Sequence, residues 1–294
     1  MSDRRARVLL SGGMDSAASL AWARCEFEWI DAVFFSYGQR HEERELAAAR
    51  ALARHFGIRL WEVALGRIGG SSLTGGGGDL AGPSVVVPGR NAIMLRQAAS
   101  MFSVPGVVVM GCCRDDWRVF ADCRPEFFDG MRRELHHVGI ETPLIDMDKA
   151  GVIGFARRYG GSEILGLSWS CYAGGADACG GCSACAARLR GFWAVGAVDP
   201  CAYASDALRV PCVRCMAPAG ARCHHPNHGW TDPCAVRWEG VAGECGDWSP
   251  SYDAHEDELV CASCGDEHVA RSKPTPCGSC DECNAGIRCR ELGP

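Results

Sequence analysis

Arg7-Val8-Leu9-Leu10-Ser11-Gly12-Gly13-Met14-Asp15-Ser16 is the stretch on which the fold turns. Arg7 to Leu10 reads as a buried strand, and Asp15 to Cys25 (DSAASLAWARC) has the composition of a helix. The glycines and serines therefore stand where a strand hands over to a helix. Glycines let successive backbone N–H groups turn toward one point, and the start of a helix adds partial positive charge there. The hydroxyls of Ser11 and Ser16 are further donors for phosphate oxygens, and Asp15 is placed to cap the helix or to help hold Mg2+. The Gly-Lys-Ser/Thr ending of a Walker A loop is absent. For a bare Gly-Gly pair, a tight turn with no ligand is the plainer alternative.

Outward from this point the pattern continues. Ala32 to Ser36 (AVFFS) and Arg59 to Leu65 read as strands, with the amphipathic helix Glu42 to Phe56 between them and Gly57 ending it. Asn91 to Phe102 reads as a helix and Gly106 to Met110 as a fourth strand. Helices are expected at Pro125 to His137 and Asp148 to Tyr159, and a last short strand at Ile164 to Leu167. Strands alternating with helices imply an α/β fold, a parallel sheet covered by helices on both faces. The stretch Gly69 to Gly82 (GGSSLTGGGGDLAG) reads as a mobile loop over the site.

The 294-residue chain is 47% hydrophobic and 22% charged, as a soluble globular protein should be. No apolar run approaches the roughly 20 residues of a membrane span. The polar, basic start gives way only to Val8-Leu9-Leu10 before Gly12, too short for a signal peptide, so a cytoplasmic protein is expected. Charge and cysteine are unevenly spread. Residues 201–294 carry 14 acidic against 8 basic side chains and 12 of the 20 cysteines, and they account for the whole net charge of −6. This shift marks two domains, 1–200 and 201–294. Many cysteines fall in Cys-x-x-Cys pairs, the spacing zinc prefers over a disulfide scaffold.

The set Ser11-Gly12-Gly13-Met14-Asp15-Ser16 resembles the pyrophosphate loop of N-type ATP pyrophosphatases. Further segments occur in the order of one family within that group. They are Ser36-Tyr37-Gly38-Gln39-Arg40-His41, Val87-Pro88-Gly89-Arg90-Asn91, Asp122-Cys123-Arg124-Pro125-Glu126-Phe127, and Thr142-Pro143-Leu144 followed by Lys149-Ala150. Trp169-Ser170-Cys171-Tyr172 then leads into Cys179-Gly180-Gly181-Cys182-Ser183-Ala184-Cys185. Together, over about residues 7–192, they resemble the 7-cyano-7-deazaguanine synthase family. The resemblance implies an adenine nucleotide alpha hydrolase-like, Rossmann-like domain that uses ATP, Mg2+ and Zn2+. It also implies a reaction in which 7-carboxy-7-deazaguanine and ammonia become the 7-cyano compound through an adenylated acid and an adenylated amide.

On that resemblance, Ser11, Gly12, Gly13, Met14, Asp15 and Ser16 hold the nucleotide with Gln39 and Arg90, and Ser11, Asp15, Ser16, Lys149 and Arg124 are catalytic candidates. Asp122, Arg124 and Glu126 are candidates to read the deazaguanine edge or its carboxylate, since carboxylates accept from guanine-like N–H groups. Trp169 or Tyr172 is placed to stack on the substrate ring, and His41 to touch nucleotide or substrate. Structural readings stand beside these: an Arg124–Glu126 ion pair, a solvated Lys149, and Asn91 as a helix cap.

Cys171, Cys179, Cys182 and Cys185 in a glycine-rich loop supply four thiolates for a closed, structural zinc site, with an iron–sulfur cluster as the rival. Cys25, Cys112, Cys113 and Cys123 lack metal spacing and read as buried or incidental thiols. Beyond the family pattern, Cys212, Cys215, Cys223 and Cys234 suggest a small zinc finger, with His228 an alternative ligand. Cys261, Cys264, Cys277 and Cys280 have the spacing of a zinc ribbon, with Cys283 an alternative. Such a module either covers the core or mediates self-association, a homodimer included, or it docks onto a partner. Its acidity favours a protein over a nucleic acid. Two rivals accompany the synthase reading. One is an adenylating relative that stops at the amide or passes the acyl group to another amine, such as a protein's. The other is an inactive ligase fold used as a zinc-finger interaction protein.

Overall fold

A computed structural model describes residues 5–204 and, beyond them, the backbone of six short strands: Cys223–His225, Gly229–Thr231, Ser251–Tyr252, Glu258–Val260, Glu267–Ala270 and Ile287–Arg290. Chain contacts divide the molecule into one unit of residues 1–178 and 182–184 and another of 179–181 and 185–294.

The first unit is built on five strands, β1 (Arg5–Leu9), β2 (Trp29–Ser36), β3 (Arg59–Ala64), β4 (Val107–Val109) and β5 (Gly139–Glu141). All are parallel, in the order β3-β2-β1-β4-β5. Val8, Ala32, Val33, Phe34, Val108 and Val109 are buried in consecutive rather than alternating positions, as a sheet covered on both faces requires. The helices are α1 (Met14–Glu26), α2 (Glu42–Phe56), α3 (Arg90–Ser100), α4 (Pro125–Glu134), α5 (Lys149–Gly160) and the short α6 (Glu163–Leu167). Ala17, Ala18, Leu20 and Ala21 of α1 are buried, and Gly160 lets α5 and Ile164 come close to Ala21. Strand order reverses between β1 and β4, so the loops after these two strands open into one crevice, where sheets of this kind bind ligands.

The structure corrects the sequence reading at several places. Ile164 to Leu167 is helix α6, not a strand. Asn91 lies inside α3 rather than capping it, because Gly89 holds the N-cap with a left-handed φ of 73°. The Gly69–Gly82 stretch is not loose throughout: Ser71, Ser72, Leu73 and Thr74 are buried. Leu73 packs with Tyr37, Val85 and Val87, and its carbonyl accepts from the Arg40 N–H at 2.7 Å. Strand β5 escapes a periodicity reading because it is three residues long.

Helix α7 (Ser183–Ala194), most of it in the second unit, was not anticipated. Arg188 forms a buried two-point pair with Asp199 (2.7 and 2.9 Å), and Asp199 also accepts from the Tyr203 hydroxyl at 2.7 Å and the Cys201 N–H at 2.9 Å. Farther on, Cys223–His225 pairs antiparallel with Gly229–Thr231, and the last four strands form an antiparallel sheet. Cys212, Cys215, Cys234, Cys261, Cys264, Cys277 and Cys280 lie outside the described residues, and of Cys223 only the backbone is described. Among the described residues no helix is long and apolar enough to cross a membrane.

Candidate functional site

The loop after β1 is a wound turn held by its own side chains. Ser11 Oγ accepts from the Gly13 N–H at 3.3 Å and donates to Ser16 Oγ at 3.2 Å, while the Ser16 hydroxyl donates to the Gly13 carbonyl at 2.9 Å. Gly12 sits at φ 85°, and a Cβ there would strike the Glu45 carbonyl and the Ala49 nitrogen of α2. Glycine is therefore needed twice over, for the conformation and for the approach of α2. The Trp169 N–H donates to the Gly12 carbonyl at 2.8 Å, so the segment after α6 is pinned to this loop. Met14 is buried and opens α1.

Asp15, in the first turn of α1, reaches across the switch point. Its Oδ2 accepts from Lys149 Nζ at 2.6 Å, and Lys149 also lies 3.8 Å from Asp116 Oδ1. The Lys149 side chain is only 11% exposed, which excludes the solvated reading. Asp148 caps α5 by accepting from the Gly151 N–H at 2.8 Å, and Asp115 accepts the Lys149 N–H at 2.9 Å. Gly111 allows the chain after β4 to touch α1, since a Cβ would meet the Asp15 carbonyl at 2.6 Å. Burial raises the Asp15 pKa, with the negative charges of Asp116 and Asp115 adding to the rise against the pull of Lys149. Burial works to lower the Lys149 pKa, but Asp15, Asp116 and Cys113 outweigh it and hold the ammonium well above the usual lysine value. Asp15 Oδ1 is buried without a hydrogen-bond partner, and Asp15, Cys113 and Asp116 present ligand atoms within 4.8 Å of one another.

The second set of candidates gathers around the start of α3. Arg90 Nη1 donates to the Tyr37 hydroxyl at 3.3 Å, and Arg90 Nε to Asn91 Oδ1 at 3.1 Å. Asn91 ties this helix to the next motif: its N–H donates to Asp122 Oδ2 at 3.3 Å and its amide to the Asp122 carbonyl at 3.0 Å. Arg124 is exposed and its Nε donates to the Trp117 carbonyl at 3.0 Å, while Glu126 is exposed in the first turn of α4. Gln39 is 4% exposed and its amide serves its own loop, accepting from the Tyr37 N–H and donating to the Phe35 carbonyl and Glu45. His41 pairs with Glu45 at 3.4 Å and its ring lies 5.3 Å from that of Tyr172. Trp169 carries the Arg44 guanidinium over its ring at 4.8 Å.

Cys171, Cys179, Cys182 and Cys185 bring their four sulfur atoms within 4.8 Å of one another. The Tyr172 N–H points to Cys182 Sγ (3.5 Å) and the Ala173 N–H to Cys171 Sγ (3.4 Å), the donors that charged thiolates attract. Four thiols so placed fit a thiophilic ion held tetrahedrally. The sequence reading missed Asp116, Asp115 and Cys113. The signal available was their position just after β4, at the strand end where the sheet reverses.

A parallel sheet of this order, with a serine–glycine loop at its reversal and a lysine clamped between two aspartates beside it, defines an α/β nucleotide-binding protein of the pyrophosphate-loop class. The family model "Queuosine biosynthesis protein QueC" matches residues 5–196, and the chain belongs to this family. It is 41% identical over 220 residues to the 7-cyano-7-deazaguanine synthase of Chlorobium phaeovibrioides, covering 68% of this chain and 96% of that one. Over 224 residues it is 38% identical to the synthase of Acidobacterium capsulatum, covering 68% of this chain and 96% of the relative. The synthase of Oceanobacillus iheyensis is 36% identical over 225 residues, which cover 69% of this chain and all (100%) of that protein.

Proposed function

We propose that the chain converts 7-carboxy-7-deazaguanine and ammonia to 7-cyano-7-deazaguanine, using ATP for two successive activations. The observation that carries this reading is the Asp15–Lys149–Asp116 group lying beside the Ser11–Ser16 loop where the sheet reverses. Carboxylate and amide oxygens are poor leaving groups. Transfer of AMP to the carboxylate oxygen releases pyrophosphate, and ammonia then displaces AMP to give the amide. Transfer of a second AMP to the amide oxygen makes that oxygen leave with AMP, and loss of the nitrogen's protons completes the nitrile. On this reading the N–H groups of Gly12 and Gly13 and the hydroxyls of Ser11 and Ser16 bind the phosphates, the Gly13 N–H and the two hydroxyls giving up their hydrogen bonds within the loop to do so. Lys149 neutralises charge that builds on the departing pyrophosphate.

Mg2+ fits beside these residues. Two carboxylates outnumber one ammonium there, and Asp15 Oδ1 has no other partner. Asp15 and Asp116 would hold the ion, which supplies shielding of the polyphosphate charge. Cys171, Cys179, Cys182 and Cys185 would hold Zn2+ in a closed structural site bracing Trp169 and Tyr172. Asp122, Arg124 and Glu126 remain the proposed readers of the deazaguanine edge. We place the reaction in the cytoplasm, assign it to residues 1–200, and regard residues 201–294 as a zinc-binding module suited by its acidity to a protein partner.

The test is to incubate the purified chain with ATP, Mg2+, ammonium and 7-carboxy-7-deazaguanine and to weigh the product. The nitrile is expected. Amide alone would move the protein to the relative that stops early. Zinc bound with no pyrophosphate released would leave an inactive fold.

A further inference from the structure

Three cations drawn from water among the described residues have carboxylate partners. Arg7 pairs with Asp31 at 2.6 Å, Lys149 with Asp15 at 2.6 Å and Arg188 with Asp199 at 2.7 Å. Arg90 is partly buried at the start of α3, and among the described residues no carboxylate pairs with it. Its partners are the Tyr37 hydroxyl and the amide oxygen of Asn91, and its guanidinium lies 5.7 Å from the centre of the Tyr37 ring. The other groups that bear on it electrostatically are Tyr172 and the Cys123 thiol. Burial raises the pKa of Tyr37, so this phenol does not supply the missing negative charge. A guanidinium drawn from water and held by a phenol and an amide oxygen lacks a carboxylate counter-ion.

The anion it awaits need not be the nucleotide, which already has the Ser11–Ser16 loop and Lys149. Tyr172 packs against the apolar cluster that holds Tyr37, and both Arg90 and Asp116, the neighbour of Lys149, act on it electrostatically. The two regions thus offer separate points of positive charge, Lys149 for phosphate and Arg90 for a second anion. We infer that Arg90, propped by Tyr37, receives the carboxylate of the deazaguanine acid and so distinguishes the acid from the amide that follows it. This rests on the synthase reading, and it moves Arg90 from the nucleotide, where sequence alone placed it, to the substrate. The two activations differ by one charge on the reacting group. A residue that grips the carboxylate serves the first and has no ionic hold on the neutral amide in the second.

The experiment compares the wild-type chain with Arg90→Met, starting either from 7-carboxy-7-deazaguanine or from the 7-carboxamide, with ATP saturating. With the acid, kcat/KM is expected to fall about 100-fold, while with the amide it falls no more than about threefold and KM for ATP stays constant. Tyr37→Phe is expected to lower acid turnover about threefold and spare the amide, and Arg90→Lys to recover part of the acid activity. Unchanged melting temperature and zinc content show that the variants fold. Should Arg90→Met not fold, the split between acid and amide in Tyr37→Phe and Arg90→Lys decides. Equal losses on acid and amide overturn the proposal, as does a raised KM for ATP with unchanged KM for the acid. If the wild type turns over neither compound, the synthase reading falls. Calorimetric titration of the acid into wild type and Arg90→Met then judges Arg90 alone, and equal affinities sink it.

Discussion

Lys149 draws its importance from what surrounds it. It is held by Asp15 and Asp116, residues more than 30 positions away in the chain, and it stays charged because they outweigh its burial. Replacing it with Met is expected to lower pyrophosphate release about 100-fold or more, as loss of a positioned charge on a reacting phosphate does, and single-turnover kinetics with excess enzyme would register it. The phenols give a second prediction. Burial raises Tyr37, Tyr172 and Tyr203 above the ordinary value of 10.0. A phenol that ionises later in the fold than in the unfolded chain lends stability that is complete below that value and is lost as pH climbs through the folded one. An alkaline absorbance titration should therefore leave these three protonated past pH 10, all ionising at the ordinary value only once the chain unfolds. Single residues were the least legible part of the sequence. The loop serines and glycines announce themselves because they are contiguous. Asp116 does not, because its meaning comes only from the neighbouring strand.

Among the elements, the turn between β1 and α1 tolerates least. Gly12→Ala forces a side chain into a left-handed backbone and against the α2 backbone at Glu45 and Ala49. A loss of about 2 kcal/mol or more is expected in urea unfolding, together with weaker nucleotide binding. Helix α2 was legible to its last residue, since acidic residues open it, its apolar stripe is regular, and Gly57 closes it in a left-handed conformation. Helix α6 was not, because Ile164-Leu165-Gly166-Leu167 is a short apolar run whose period fits strand or helix equally. The glycine-rich loop misled in another way. Composition suggested mobility, but Leu73 and Val85 anchor its middle in a small apolar cluster with Tyr37.

At the level of the whole molecule, cysteine sets and a buried ion pair set the tests. If the three four-cysteine sets each take an ion, metal analysis of the intact chain should return about three zinc per chain, without the visible absorbance of an iron–sulfur cluster. Cys182→Ser should remove one of them. The Arg188–Asp199 pair offers a separate test: Asp199→Asn leaves a buried guanidinium with half its partner, for an expected loss of about 3 kcal/mol in chemical denaturation. Cys201 and Tyr203 also donate to Asp199, so the pair ties in the residues on either side of Pro200. The parallel sheet was legible because alternating strands and helices leave few other folds. The tail's cysteine spacings speak of metal but not of shape.

The Lys149 ammonium already rests on the carboxylate of Asp15. Any visiting phosphate must therefore outbid an anion that belongs to the protein itself. The pair acts as an admission threshold: chloride or acetate, bearing a single charge, gains nothing by intruding, whereas a triphosphate brings enough charge to prise the latch open. Cellular monoanions should accordingly be poor inhibitors, and pyrophosphate a strong one.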